Sequence, residues 1–180
     1  MKSKSYFFLL LILSVSLSAN AQYPEYVKTF DAKPNSIVQV KGDLSQGIDM
    51  PDLSWASRSS TACFPATQNT KFTGNHLFFI TELPSRSVMD IELVPKDKTK
   101  NMSLYAYFTG TNSNSYPPEL STCVSCEADH KWDYPKKGKT QDHTRHVSLN
   151  AVNNPYKVVI GVAGAEGLTK GEFYLKISLK

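Results

Sequence analysis

The stretch that decides the fold is Gly171-Glu172-Phe173-Tyr174-Leu175-Lys176-Ile177-Ser178-Leu179-Lys180. Phe173, Leu175, Ile177 and Leu179 alternate with Glu172, Tyr174, Lys176 and Ser178. Side chains alternate across a strand, so this period of two makes a strand with one apolar face. The same signature occurs in Val88–Val94, where Met89, Ile91 and Leu93 oppose Asp90 and Glu92. It recurs in Met102–Phe108, with Met102, Leu104, Ala106 and Phe108 opposite Ser103, Tyr105 and Tyr107. His76–Thr81 is rich in aromatic and β-branched residues between Gly74 and Pro84, and Tyr156–Val162 is nearly continuous apolar. Both read as strands, the latter as a central one. Ser36–Val40, Leu53–Ala56 and Thr144–Leu149 are weaker candidates.

Beyond the first 21 residues no segment keeps a helical period of 3.6. Seven or eight short strands with polar turns between them predict an all-β protein, an antiparallel, jelly-roll-like β-sandwich. The composition agrees, with 41% hydrophobic and 20% charged residues and a polar, turn-forming remainder.

Residues 1–21 read as an address. Lys2 and Lys4 precede an unbroken apolar run from Tyr6 to Leu13, and Ala19-Asn20-Ala21 gives a small-x-small cleavage site before Gln22. This is the pattern of a secretory signal peptide. The apolar run is too short for a spanning helix of about 20 residues. The expectation is an exported protein, periplasmic or secreted, with no membrane attachment after cleavage. Removing Lys2 and Lys4 lowers the formal charge from +4 to +2, which argues against nucleic acid as a partner. Residues 22–60 read as a lead-in with short strands and residues 61–180 as the sandwich domain.

The run Asn154-Pro155-Tyr156-Lys157-Val158-Val159-Ile160-Gly161-Val162-Ala163-Gly164, followed by Gly171-Glu172-Phe173-Tyr174-Leu175-Lys176-Ile177, resembles the end of bacterial pre-peptidase C-terminal domains. Met89–Val94 and Ser103-Leu104-Tyr105-Ala106-Tyr107 look like the strand pair that precedes it in that family. The resemblance spans about His76 to Lys180. It implies a small sandwich of the kind attached to secreted proteases as an accessory or substrate-binding module, here free-standing. Some members bind calcium through an acidic segment ahead of the first strand. Residues 64–75 contain no Asp or Glu, so no calcium and no other cofactor is expected.

Residues 109–143 carry little strand signal, and loops this long are usually functional or disordered. They hold Cys123 and Cys126, His130 and His143, with His146 just beyond. With Cys63 the cysteines number three, so one pair oxidises in an exported chain. The favoured bridge is Cys63–Cys126, with Cys123 as the alternative partner of Cys63 and a small Cys123–Cys126 ring also open. Cys123-x2-Cys126 ahead of His143-x2-His146 approaches a zinc pattern, but the His spacing is short for one, so metal is not favoured. Cys-x-x-Cys for redox catalysis needs a helix N-terminus, and none is visible there.

Lys131-Trp132-Asp133-Tyr134-Pro135-Lys136-Lys137-Gly138-Lys139 interleaves aromatic and basic residues. Trp132, Tyr134, Lys136 and Lys137 are the candidate contacts for a glycan or protein, or simply cover the sandwich edge. Tyr116, within Thr109–Pro118, is the candidate tip of a loop inserted into an enzyme cleft. Gly-x-Ser-x-Gly, His-Glu-x-x-His and phosphate-binding glycine loops are absent, so no catalysis is expected. The expected function is an exported, non-enzymatic binding module for an extracellular or periplasmic glycan or protein. The alternatives are a periplasmic inhibitor or immunity protein against a cell-wall hydrolase or peptidase, and a metal-binding exported protein.

Overall fold

The computed structural model describes residues 23–180. The expected signal peptide lies outside the described residues. The described residues form ten strands: β1 Val27–Thr29, β2 Ser36–Asp43, β3 Ile48–Asp49, β4 Asn75–Leu83, β5 Ser87–Pro95, β6 Met102–Thr109, β7 Ser125–Asp129, β8 Arg145–Ala151, β9 Tyr156–Gly164 and β10 Glu172–Leu179. One sheet runs β1-β4-β9-β6-β7, with β3 also on β4, and the other runs β2-β10-β5-β8. Pairing is antiparallel except between β1 and β4. The all-β sandwich is therefore present, with more strands than expected.

The added strands are short. β1, β3 and β7 hold three, two and five residues, too few to display an alternation, and their backbones are recruited by the long strands β4 and β6. Leu53–Ala56 is not a strand; Ser54–Ser57 is a 3₁₀ turn that buries Trp55 and Ala56. The lead-in is part of both sheets, because β1 and β3 join β4 while β2 lies along β10.

The sandwich core lies between the sheets. Leu77, Phe79 and Leu83 of β4, Met102, Leu104 and Ala106 of β6, and Val158, Ile160 and Val162 of β9 meet Met89, Ile91 and Leu93 of β5. Phe173, Leu175, Ile177 and Leu179 of β10 complete it. Each buried side chain of this size contributes about 1.5–3 kcal/mol. Gly167, with φ of +77°, and Glu166, at +54°, supply the left-handed residues of the turn from β9 to β10. That conformation is easy for glycine. Where β7 meets β8, the His146 amide donates to Asp129 Oδ2 at 2.9 Å. This satisfies one amide of an edge strand, a position otherwise open to unwanted pairing.

A second core sits on the opposite face of the larger sheet. Every residue of β6 is buried, so Tyr105 and Tyr107 do not face solvent as a half-buried strand requires. They pack with Phe78, Val159 and Ala163 beneath Met50, Leu53, Trp55, Phe64 and Phe72. The segment from Met50 to Phe72 is thus a cap over the sheet, and the molecule has three layers.

Candidate functional site

Aromatic contact and a few buried polar bonds hold the cap down. Phe64 stacks on Phe72 with centroids 3.8 Å apart, and Trp55 packs edge-on to Phe64 at 5.8 Å. The Tyr107 hydroxyl donates to the Thr61 carbonyl at 2.8 Å, and Thr61 Oγ1 donates to the Trp55 carbonyl at 2.6 Å. Cys63 is joined to Cys126 by a disulfide, which ties the cap to β7. This is the bridge the sequence favours, across a separation of 63 residues.

Cys123 keeps a free thiol. Its amide donates to the Ser60 carbonyl, and burial pushes its thiol pKa up, away from the thiolate that exchange or metal binding needs. With Cys126 oxidised, the zinc candidates Cys123, Cys126, His143 and His146 have lost a thiolate. Among the described residues no three His, Cys, Asp or Glu side chains gather at a point. His143 instead lies beside Arg145, 3.2 Å from its Nη2, while His146 is exposed and stands 3.8 Å from Asp90.

His76 is buried and was not singled out by the sequence. Its Nε2 lies 2.7 Å from the Phe72 carbonyl and its Nδ1 lies 2.8 Å from the Tyr105 hydroxyl. A carbonyl only accepts, so Nε2 carries the proton and Nδ1 accepts from Tyr105. Burial lowers its pKa to about 4. Arg145 is also buried, at 1% exposure. It donates to the carbonyls of Asp142 and Thr144 and to Asn101 Oδ1. An alternating polar position gives no hint in sequence of such a buried guanidinium.

Tyr116 is turned inward. Its ring lies 5.7 Å from Phe78 and about 6 Å from Tyr23 and Tyr26, and its hydroxyl pKa is pushed up to about 12, chiefly by burial. It anchors the 109–124 segment rather than projecting from it.

Trp132, Tyr134 and Lys136 are brought together against the cap, and Lys137 is exposed on the same loop. The 130–141 loop is pinned there. Asp133 pairs with Lys71 at 2.8 Å and accepts from Gln68 Nε2 at 3.1 Å, and these contacts hold its carboxyl below the usual range. The Trp132 amide donates to Gln141 Oε1 at 3.0 Å, closing the loop base. His130 stands edge-on to Phe72. Trp132 is half-buried, and Lys136 Nζ lies 4.2 Å from its ring centroid, a cation–π contact. Tyr134 is 83% exposed. A depression of about 310 Å³ runs between Trp132, Tyr134, Lys131, Lys139 and Gln141. The loop is therefore a braced platform on which Trp132 and Tyr134 stand beside Lys131, Lys136 and Lys139.

A second concavity, of about 400 Å³, lies on the cap between the 48–58 segment and Pro118-Glu119. It carries Asp49, Asp52, Glu119 and Arg58, with Trp55 in its wall. The sequence reading missed it, because its lining comes from two segments 60 residues apart that carry no shared motif.

No family model and no curated protein matches this chain. Among solved structures it is similar to the pre-peptidase C-terminal domain of collagenase from Bacillus anthracis, the domain type that the sequence resembles. The identity is 12% and the TM-score 0.41, over 88% of this chain and 99% of that one. It is also similar to a periplasmic lysozyme inhibitor of g-type lysozyme from Aeromonas hydrophila, at 10% identity and a TM-score of 0.42, over 86% and 97% of the two chains. The K1 cleaved adhesin domain of Lys-gingipain from Porphyromonas gingivalis is matched at 12% identity and a TM-score of 0.32, over 61% and 64%. At these identities no side-chain role passes from one chain to another.

Proposed function

We propose that this protein is an exported, non-enzymatic binding module that holds an acidic glycan on the 130–141 loop. The observation that carries this reading is the braced pairing of Trp132 and Tyr134 beside Lys131, Lys136 and Lys139. Flat aromatic faces suit the C–H faces of sugar rings, and ammonium groups suit carboxylate or sulfate substituents. The one acidic residue of the loop, Asp133, is already engaged by Lys71, so it does not neutralise the lysines of the loop. A stable protein interface buries about 800 Å² on each partner, more than one short loop with a shallow depression provides. The Cys63–Cys126 disulfide supports an oxidising compartment. No helix of the described residues is long and apolar enough to cross a membrane.

Inhibition of a hydrolase through Tyr116 loses support, because that side chain packs against Phe78, Tyr23 and Tyr26. Probing a glycan array with the chain from Gln22 onward tests the reading. Retention on uronic-acid or sulfated glycans, weakened by salt, is expected. Binding only to proteins, or to no acidic glycan, overturns it.

A further inference from the structure

Arg145 and His143 make a contact that only one protonation state allows. The buried guanidinium of Arg145 is fixed by the carbonyls of Asp142 and Thr144 and by Asn101 Oδ1. Its Nη2 also lies 3.2 Å from His143 Nδ1. A guanidinium only donates, so Nδ1 accepts and the His143 proton sits on Nε2. A second proton on the ring would go to Nδ1. It would aim one N–H at another, with a positive charge on each. Arg145 is held by its other bonds, whereas the His143 ring is half-buried and has a way out. The charged groups around that ring are Arg145 from β8, Lys131 and Asp142 from the loop, and Glu166 from the turn after β9. Asp142 is occupied by the Thr144 amide and hydroxyl, and Glu166 is exposed. Burial, then Arg145 and Lys131, lower the His143 pKa from its ordinary 6.5 against the pull of the two carboxylates.

We infer that His143 is an acid-sensitive latch at the base of the 130–141 loop: a proton on Nδ1 drives the ring off Arg145 and loosens the seat of Trp132. The route is short. Gln141 Oε1 accepts from the Trp132 amide at 3.0 Å and so closes the loop. Gln141 stands two residues before His143, and the Asp142 and Thr144 carbonyls on either side of His143 are the ones Arg145 grips. When the ring leaves, the backbone that carries it shifts, and the bond from Gln141 to Trp132 is strained or lost. The closed loop excludes the second proton and the open loop accepts it, so acid draws the population toward the open form. A ligand that needs the closed platform must then also order the loop, which weakens its binding. That last consequence rests on the loop being the glycan surface; the latch itself does not.

The chain has two tryptophans, Trp55 and Trp132, so its indole ¹H–¹⁵N signals are two and are assigned by the variant Trp132→Phe. The test is an NMR titration of the labelled protein from about pH 8 to about pH 4, with no ligand present. The Trp132 indole signal is expected to move with the midpoint of the His143 ring signals, below 6.5. In His143→Asn the side-chain oxygen still accepts from Arg145 and takes up no proton. The Trp132 movement is expected to vanish there, although His130 and His146 still titrate. His143→Lys carries a charge permanently and is expected to hold the Trp132 signal at its acid position at about pH 8, which tests the latch even if acid unfolds the chain. A Trp132 signal that ignores the His143 titration, or moves equally in His143→Asn, overturns the inference, as does a wild-type position in His143→Lys. Dextran sulfate, whose sulfates stay charged throughout, is expected to bind about fivefold more weakly at the acid end, and not so in His143→Asn. No binding of any acidic glycan at any pH is failure of the loop reading; a Trp132 signal indifferent to His143 is failure of the latch.

Discussion

The Tyr105 hydroxyl and His76 Nδ1 stand 2.8 Å apart in the dry space between the sheet and its cap. Burial lowers the His76 pKa from 6.5 to about 4. The unfolded chain therefore binds this proton more readily than the folded one, and stability falls as the pH drops from about 6.5 toward 4. Above 6.5 the contribution is fully present; below 4 it is gone. The size is about 3 kcal/mol. Urea midpoints across this range are expected to show the loss, and His76→Phe is expected to flatten the part of the slope that comes from this residue.

Gly161 lies directly across from Tyr105 in the β6–β9 pairing. A methyl group at Gly161 would meet the Tyr105 ring carbon Cζ at 2.1 Å. The ring is part of the core and cannot swing out to solvent. Gly161→Ala is expected to destabilise by about 1–3 kcal/mol, with the Tyr105 signals moving in NMR spectra. The change also disturbs the His76 bond, so it couples with His76→Phe in a double-mutant cycle.

The Cys63–Cys126 bridge closes a loop with a separation of 63 residues. Chain entropy assigns it about 4 kcal/mol. Cys63→Ser/Cys126→Ser is expected to lower the thermal midpoint and to speed tryptic cleavage at Arg58, in the cap. Cleavage within the β4–β9–β6 part of the sheet is expected to change less.

Arg145 joins the end of the 130–141 loop to Asn101 by donating to Asp142, Thr144 and Asn101. Lysine has the charge without the planar fork. Arg145→Lys is expected to cost about 2 kcal/mol in chemical denaturation. The exposed Lys180–Asp90 pair at 3.0 Å serves as the contrast; Lys180→Met is expected to change stability by less than about 1 kcal/mol.

The long strands were legible because alternation alone marks β5 and β10, with Met89, Ile91 and Leu93 set against Phe173, Leu175 and Ile177. The cap was not legible. Trp55, Phe64 and Phe72 carry no period, and their burial depends on the far side of a sheet whose tyrosines look solvent-facing by alternation. β7 was hidden for another reason: Ser125-Cys126-Glu127-Ala128-Asp129 has weak strand propensity, and it pairs because the backbone of β6 is there to receive it. Trp132 and Tyr134 were legible as an aromatic and basic run, whereas the bracing by Lys71 and Gln68 arises from a segment about 60 residues earlier. The concavity at Trp55 escaped notice because it exists only once Pro118-Glu119 folds against 48–58.

The most direct measurement is affinity electrophoresis of the wild-type chain and of Trp132→Ala and Lys136→Ala/Lys137→Ala, in gels containing polygalacturonate or neutral dextran. The wild-type protein is expected to be retarded by polygalacturonate and not by dextran, less so as salt screens the lysines. Each variant is expected to lose about tenfold in affinity while keeping its urea midpoint. Equal retardation of wild type and variants, or none in polygalacturonate, would contradict the assignment of the 130–141 loop as the glycan-binding surface.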